Sequence, residues 1–217
     1  MWRSSFFIHR KAVGNVSNKH YYTKNSDLDH NRKTWNFELR GASIKFISDA
    51  GVFSKTTVDF GSRLLIESFE ASNPSGKMLD VGCGYGPIGL ALAKSYPEAQ
   101  VDMIDVNDRA LELSAENAAN NGLANVRVFE SSVYGGVTDR DYTDIISNPP
   151  IRAGKKIVHE ILIGSFERLE TGGSLWIVIQ KKQGGPSAAA KMEEVFGNVE
   201  VVAKDKGYFI YRSMKEY

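Results

Sequence analysis

Two short stretches hold the residues whose types and spacing could do chemistry. The first is Asp80-Val81-Gly82-Cys83-Gly84-Tyr85-Gly86-Pro87-Ile88-Gly89, with glycine at alternate positions directly after an apolar run. Glycines there let backbone approach a ligand closely, and the N–H groups of a following helix point at it. Pro87 is a favourable first helical residue. The spacing is G-x-G-x-G, not the G-x-G-x-x-G that leaves room for a pyrophosphate. A tight turn that merely needs glycine would read the same way. Asp80 places a carboxylate just ahead of the loop, where it could meet a cationic or amine-bearing ligand. About twenty residues on, Asp105 ends another apolar run, a position from which an acid can hold ribose hydroxyls. It could instead cap the next helix, a task also open to Asn107 or Asp108. Loop and acid together favour an adenosine-containing ligand.

The second stretch is Asn148-Pro149-Pro150-Ile151. A residue before proline is pushed out of the α region, and proline fixes its own φ. Asn148 and Pro149 are therefore extended, and the Asn148 side-chain oxygen and Pro149 carbonyl can face one spot. Two fixed acceptors suit a planar amino group, that of a nucleobase or of an amide. The plain alternative is a strand terminator.

Strands and helices must alternate to place both stretches together. Strands are expected at 78–81, 101–104, 126–129, 144–147 and 174–179, with helices at 88–94, 109–120, 157–169 and 187–196. Such alternation implies a doubly wound, mainly parallel sheet. In that sheet both loops leave the carboxyl edge at the switch point, where such folds bind ligands. The tail breaks the rule. Val199–Val202 and Tyr208–Tyr211 are separated only by Ala203 to Gly207, which permits an antiparallel hairpin and forbids a parallel crossover. Ahead of the sheet, residues 35–40 and 43–47 alternate on either side of Gly41 and predict a small β-hairpin. A helix over 58–69 and the linker Ala71–Gly76 follow.

The chain has 217 residues, 42% hydrophobic and 24% charged. That suffices for a sizeable core and excludes disorder, collagen and coiled coil. No apolar window is long enough to span a membrane. The single cysteine, Cys83, cannot form an internal disulfide, which fits the cytoplasm. With one cysteine and His9, His20, His30 and His159 scattered, no metal cluster is expected. Residues 1–56 carry ten Lys/Arg against four Asp/Glu, while the remainder carries 17 against 22. A basic front suggests a polyanionic partner or a processed leader. Residues 1–26 hold five Lys/Arg and no acid, as an organellar transit peptide would. A spurious start or a disordered arm explains them equally. The expected division is a disordered leader at 1–19, a hairpin extension at 20–57 and the main domain at 58–217.

Arg152, Lys155 and Lys156 follow the fourth strand of this alternation, and Lys181 and Lys182 the fifth. Both loops leave one edge, so these cations should ring the pocket, as suits phosphates around an unstacked base. Solvated loop cations are the alternative. Gln183-Gly184-Gly185-Pro186 should make the second loop mobile. His159 reads as a structural or exposed histidine more readily than as a proton acceptor.

Together these motifs resemble class I S-adenosylmethionine-dependent methyltransferases, and more narrowly the small-domain family that contains the 16S ribosomal RNA guanine-N2 methyltransferases. Gly51-Val52-Phe53-Ser54 and Asp59-Phe60-Gly61-Ser62 are similar to the family's lead-in before the first strand. Ile151-Arg152-Ala153-Gly154-Lys155 matches its single-domain branch. The resemblance spans residues 20–217 and implies seven strands with an antiparallel last strand. It implies that Gly82, Cys83, Gly84 and Gly86 line the methionine part of S-adenosylmethionine. Asp80 would lie near the cofactor's amino group, Asp105 and Val106 at the ribose, and Asn148 beside cofactor and substrate alike. Family members often contact adenine through an acid at the position of Ser132, whose hydroxyl, or Glu130, would substitute. Asn148, Pro149 and Pro150 would be catalytic, with Phe53, Ile151 and the five cations on the substrate side. Adenine and glutamine methyltransferases usually have an aromatic where Ile151 stands, which favours guanine. The implied partner is RNA, with no metal. Methylation of a protein glutamine amide and a non-catalytic RNA-binding role remain open alternatives.

Overall fold

Residues of period-two alternation form β1 (Lys33–Leu39) and β2 (Ala42–Ser48). They are joined by Arg40 and Gly41, both left-handed at φ 52° and 72°, the turn whose twist matches a hairpin. The computed structural model describes residues 31–52 and 56–217. The expected leader at 1–19, the transit-like segment at 1–26 and Phe53 lie outside the described residues. Leu39, Ile44 and Phe46 are buried on the hairpin's inner face, which packs against helices that follow. Arg40 also reaches across to α1 (Phe60–Ser68). Its guanidinium donates to the carbonyls of Ile66 and Phe69 at 2.8 and 2.7 Å, satisfying acceptors that a helix end leaves open.

Strand–helix alternation then runs through β3 (Lys77–Val81), α2 (Pro87–Ser95), β4 (Gln100–Asp105), α3 (Asp108–Asn120), β5 (Val126–Glu130), β6 (Tyr142–Ser147), α4 (Lys155–Arg168), β7 (Leu169–Gln180), α5 (Gly185–Phe196), β8 (Glu200–Asp205) and β9 (Tyr208–Met214). The seven strands order as β5-β4-β3-β6-β7-β9-β8. Chain order reverses between β3 and β6, so the switch point lies between their carboxyl ends. β9 pairs antiparallel with both β7 and β8. The doubly wound, mainly parallel sheet with an antiparallel last strand is thus the observed fold. Lys206 and Gly207, at φ 46° and 80°, make the tight turn between β8 and β9.

Each face of the sheet buries its own core. One includes Leu65, Ile66, Leu90, Met103, Ile146 and Trp176 beneath α1, α2, α3 and the hairpin. The other includes Leu79, Ile145, Ile161, Leu162, Met192 and Phe196 beneath α4 and α5. Near the amino-terminal edge, buried Asp102 takes a bidentate bond from Arg127 at 2.9 and 2.5 Å and a third from Tyr142 at 2.7 Å. A desolvated carboxylate so saturated closes that part of the sheet. Ligand chemistry is left to the opposite edge.

Most boundaries move by one to three residues from expectation, and two of the differences have a visible cause. α1 begins at Phe60 rather than 58, because Asp59 is its cap and accepts from Ser62 N at 3.0 Å. β7 begins at Leu169 rather than 174, taking residues assigned above to a helix end and a loop. Gly172 has φ 86°, and a Cβ on Gly173 would stand 2.9 Å from the carbonyl oxygens of Tyr142 and Thr143. The register against β6 shifts between Tyr142 and Asp144, so an irregular glycine pair interrupts the pattern that marks a strand.

Candidate active site

The carboxyl ends of β3, β4 and β6 open into a cavity of about 710 Å³, within the usual range of small-molecule sites. Gly82, Cys83, Gly84, Asp105, Val106, Ser132, Asn148, Pro149, Pro150, Ile151 and Arg152 all line it. The two stretches picked out by residue type therefore meet at one place.

The glycine loop is fastened from beneath. Gly82 N and Cys83 N both donate to the Ile104 carbonyl at 2.9 Å. Gly84, at φ 58°, has nothing among the described residues within 4 Å of where a Cβ would stand, which leaves an open face toward the cavity. Gly86 has another task. A Cβ there would come to 2.8 Å of Leu90 Cδ1 and 2.9 Å of Met103 Cε, so it lets α2 pack on β4 and does not line the cavity. Buried Cys83 has its thiol pushed up by burial, with Asp105 and Asp80 adding to the effect.

Asp105 ties the glycine loop to the end of β4. Its Oδ2 accepts from Gly84 N at 2.9 Å and its Oδ1 from Asn107 N at 3.0 Å. Asn107 caps α3 by accepting from Arg109 N and Ala110 N, so capping does not explain Asp105. Burial raises the Asp105 carboxyl, and the Gly84, Asn107 and Val106 amides oppose it.

Asp80 is placed differently. It is buried beneath α2, where Oδ2 accepts from Gly89 N at 2.9 Å, and it does not line the cavity. Among the described residues its Oδ1 is buried without a partner. Burial pushes this carboxyl up to about 7, and nearby Asp105 adds to the rise that the Gly89 amide opposes. The open face of Gly84 and the remaining lone pairs of Asp105, both in the cavity lining, fit a nucleoside, while Asp80 stands behind the loop and meets it only through the backbone. Ser131 and Ser132 line the far side, whereas Glu130 does not.

Asn148 is oriented by residues absent from the motif. Its Nδ2 donates to Ser62 Oγ at 3.0 Å and approaches Asp59 Oδ1 at 3.4 Å. A carboxylate accepts only, so the amide nitrogen faces it and the amide oxygen is left for a ligand. Asp59, Ser62, Gln183 and Tyr208 all line the cavity, and none was singled out as a site residue from sequence. Asp59 and Ser62 do carry a local signal, a cap residue before an apolar helical run. Tyr208 carries none, because it arrives through the pairing of Gln180 with Tyr208 across β7 and β9.

Of the five cations, Arg152 lines the cavity, while Lys155, Lys156, Lys181 and Lys182 are exposed outside the lining. Lys155 and Lys156 open α4, and Lys181 and Lys182 start a 3-10 turn after β7. His159 Nε2 sits 3.3 Å from Ser187 Oγ, outside the cavity lining. Burial and nearby Lys155 and Lys191 lower its pKa. Among the described residues no helix is long and apolar enough to cross a membrane.

Comparison with known proteins agrees with this architecture. The model of the family described as "Methyltransferase small domain" matches residues 43–212. A Bacillus subtilis relative, uncharacterized protein YbxB, is 54% identical over 91% of this chain and 98% of its own. Ribosomal RNA small subunit methyltransferase C of an Enterobacter species is 36% identical over 84% of this chain but only 52% of its own length. Among solved structures, a Thermus thermophilus 16S rRNA N2 G1207 methyltransferase, in complex with AdoMet and guanosine, superposes with a TM-score of 0.76 at 25% identity. That likeness covers 85% of this chain and 50% of the other. The chain thus spans about half the length of those ribosomal RNA methyltransferases and nearly all of YbxB. By the span of the family match, and by its identity to these relatives, this chain belongs to the methyltransferase small-domain family.

Proposed function

We propose that the protein methylates guanine N2 in small-subunit ribosomal RNA, using S-adenosylmethionine. The observation that carries this reading is the oriented Asn148 amide in the lining of the glycine-loop cavity, its nitrogen held by Ser62 and Asp59. S-adenosylmethionine, when bound, supplies an electrophilic methyl group on a sulfonium. Gly82, Cys83, Gly84, Asp105, Val106 and Ser132 hold it, and Asp80 acts on it only through the loop.

An exocyclic amine shares its lone pair with the ring and is a poor nucleophile. Asn148 Oδ1 and the Pro149 carbonyl each accept one of its hydrogens, which makes the nitrogen more pyramidal and aims the lone pair at the methyl. The chain thus supplies position and fixed dipoles rather than a strong base. The amine's extra proton leaves after transfer, when the product nitrogen is acidic enough to lose it to water. Arg152, Lys155, Lys156, Lys181 and Lys182 hold phosphates of an RNA whose target base is unstacked into the cavity.

Two measurements test this. Nucleosides from ribosomal RNA of cells with and without the gene should differ by one N2-methylguanosine, and an unchanged set would defeat the proposal. Labelled methyl transfer offered to bare RNA, ribosomal subunits and protein separates it from amide methylation and from a non-catalytic role. Asp105→Ala should weaken S-adenosylmethionine binding by about 1.5–3 kcal/mol, the scale of bonds to a charged group. Calorimetry showing unchanged affinity would confine Asp105 to fastening Gly84.

A further inference from the structure

We propose that Asp59 reads the ring N1–H of a guanine whose N2 amine lies between Asn148 and Pro149. This rests on the proposed function and gives its base preference a cause. Asp59 Oδ1 is occupied by Ser62 N at 3.0 Å and by Asn148 Nδ2 at 3.4 Å. Among the described residues nothing bonds its Oδ2. Asp59 is only partly buried and lines the same cavity as Asn148, Pro149 and Tyr208. An unpartnered acceptor thus stands directly beside the amine clamp.

The chemistry of that juxtaposition selects one base. Guanine carries two adjacent donors on one edge, the N2 amine and N1–H. Adenine carries a lone pair at N1 beside its N6 amine, and a carboxamide carries a carbonyl oxygen beside its nitrogen. A carboxylate can only accept. With the amine held by Asn148 and Pro149, Asp59 Oδ2 binds the next atom of guanine and repels that of adenine or an amide. Ile151 only withholds a stacking face, whereas Asp59 supplies a bond. A wall for the flat base is present as well. Tyr208 packs against Phe60 with ring centroids 5.5 Å apart, seated over Gly61, where a Cβ would come within 2.9 Å of the tyrosine ring.

Asp59→Asn isolates the free oxygen. Asparagine caps a helix as well as aspartate does, so its Oδ1 keeps the Ser62 and Asn148 contacts while an amide donor replaces Oδ2. The probes are guanosine and 2-aminopurine riboside, which keeps the 2-amine but has a lone pair at N1. Both are titrated against the full chain with S-adenosylhomocysteine, following the fluorescence of 2-aminopurine and its displacement by guanosine. The wild type should prefer guanosine by about tenfold or more, the scale of one bond to a charged group. In D59N guanosine should weaken by a similar factor and 2-aminopurine riboside should bind more tightly. If D59N leaves the preference unchanged while the wild type still forms N2-methylguanosine in RNA, Asp59 is not the reader and the proposed function stands. A wild type that binds neither nucleoside would remove guanine from the cavity and overturn both.

Discussion

Replacing Asn148 with alanine should cut methyl transfer by about 10²-fold or more in single-turnover assays at saturating RNA and cofactor. That is the scale of removing one preorganised electrostatic contact made to the transition state. The reason is geometric. Ser62 and Asp59 hold the Asn148 nitrogen, so its oxygen needs no reorganisation when the amine arrives, and nothing else at the strand end replaces it. Cofactor affinity should barely move, because Asp105 still holds Gly84 N. RNA affinity should also survive. Charge removal at Lys155 or Lys181 should give the opposite pattern, weaker RNA binding with a shallower salt dependence and intact cofactor binding. Wild-type turnover in Asn148→Ala would mean that the amine clamp is misassigned.

The second large effect concerns stability and involves no substrate. Asp80 is buried with one unpartnered oxygen, and its carboxyl is pushed up to about 7. The folded state therefore binds this proton more tightly than the unfolded chain does. Its contribution is most favourable below the ordinary carboxylate range, declines as pH rises toward 7, and is flat above that. Asp80→Asn has no proton to lose. Its unfolding free energy relative to wild type should rise by about 2–3 kcal/mol between about pH 5 and about pH 8. Urea unfolding of both proteins at the two pH values measures that difference and cancels groups common to both, such as Asp144, which burial pushes up to about 6. A difference that stays constant with pH would show that Asp80 is already ionised under the loop.

How much was legible before the structure depends on range along the chain. Strand–helix alternation and the short tail connection gave the sheet, its switch point and its reversed strand, because those are consequences of local pattern and connection length. The glycine loop, Asp105 and Asn-Pro-Pro were legible because each sits where a strand ends. Asp80 was legible by type but not by direction. Its side chain turns beneath α2 to meet Gly89 N, and a residue letter does not say which side of a strand is used. The β7 boundary was lost where Gly172 and Gly173 replace apolar alternation with a close backbone approach. Asp59 and Tyr208 needed the fold, since their places in the site come from neighbours 89 residues away in one case and from a cross-sheet pairing in the other.

The sheet order has a consequence for how the protein is made. β8 precedes β9 in the chain but lies outside it, so β7 has no partner on that side until residues 208–214 emerge. Until then a translating chain presents a strand paired on one side only, carrying Trp176, Ile177, Val178 and Ile179, all buried in the finished fold. Such an edge invites pairing with other chains. Synthesis halted just before Tyr208 should leave β7 open to protease together with β8, not β8 alone. Protection of β7 in that truncated chain would show that its edge is covered earlier by something other than β9. On this account an aggregation-prone edge stays open until the β8–β9 hairpin closes across the two-residue Lys206–Gly207 turn.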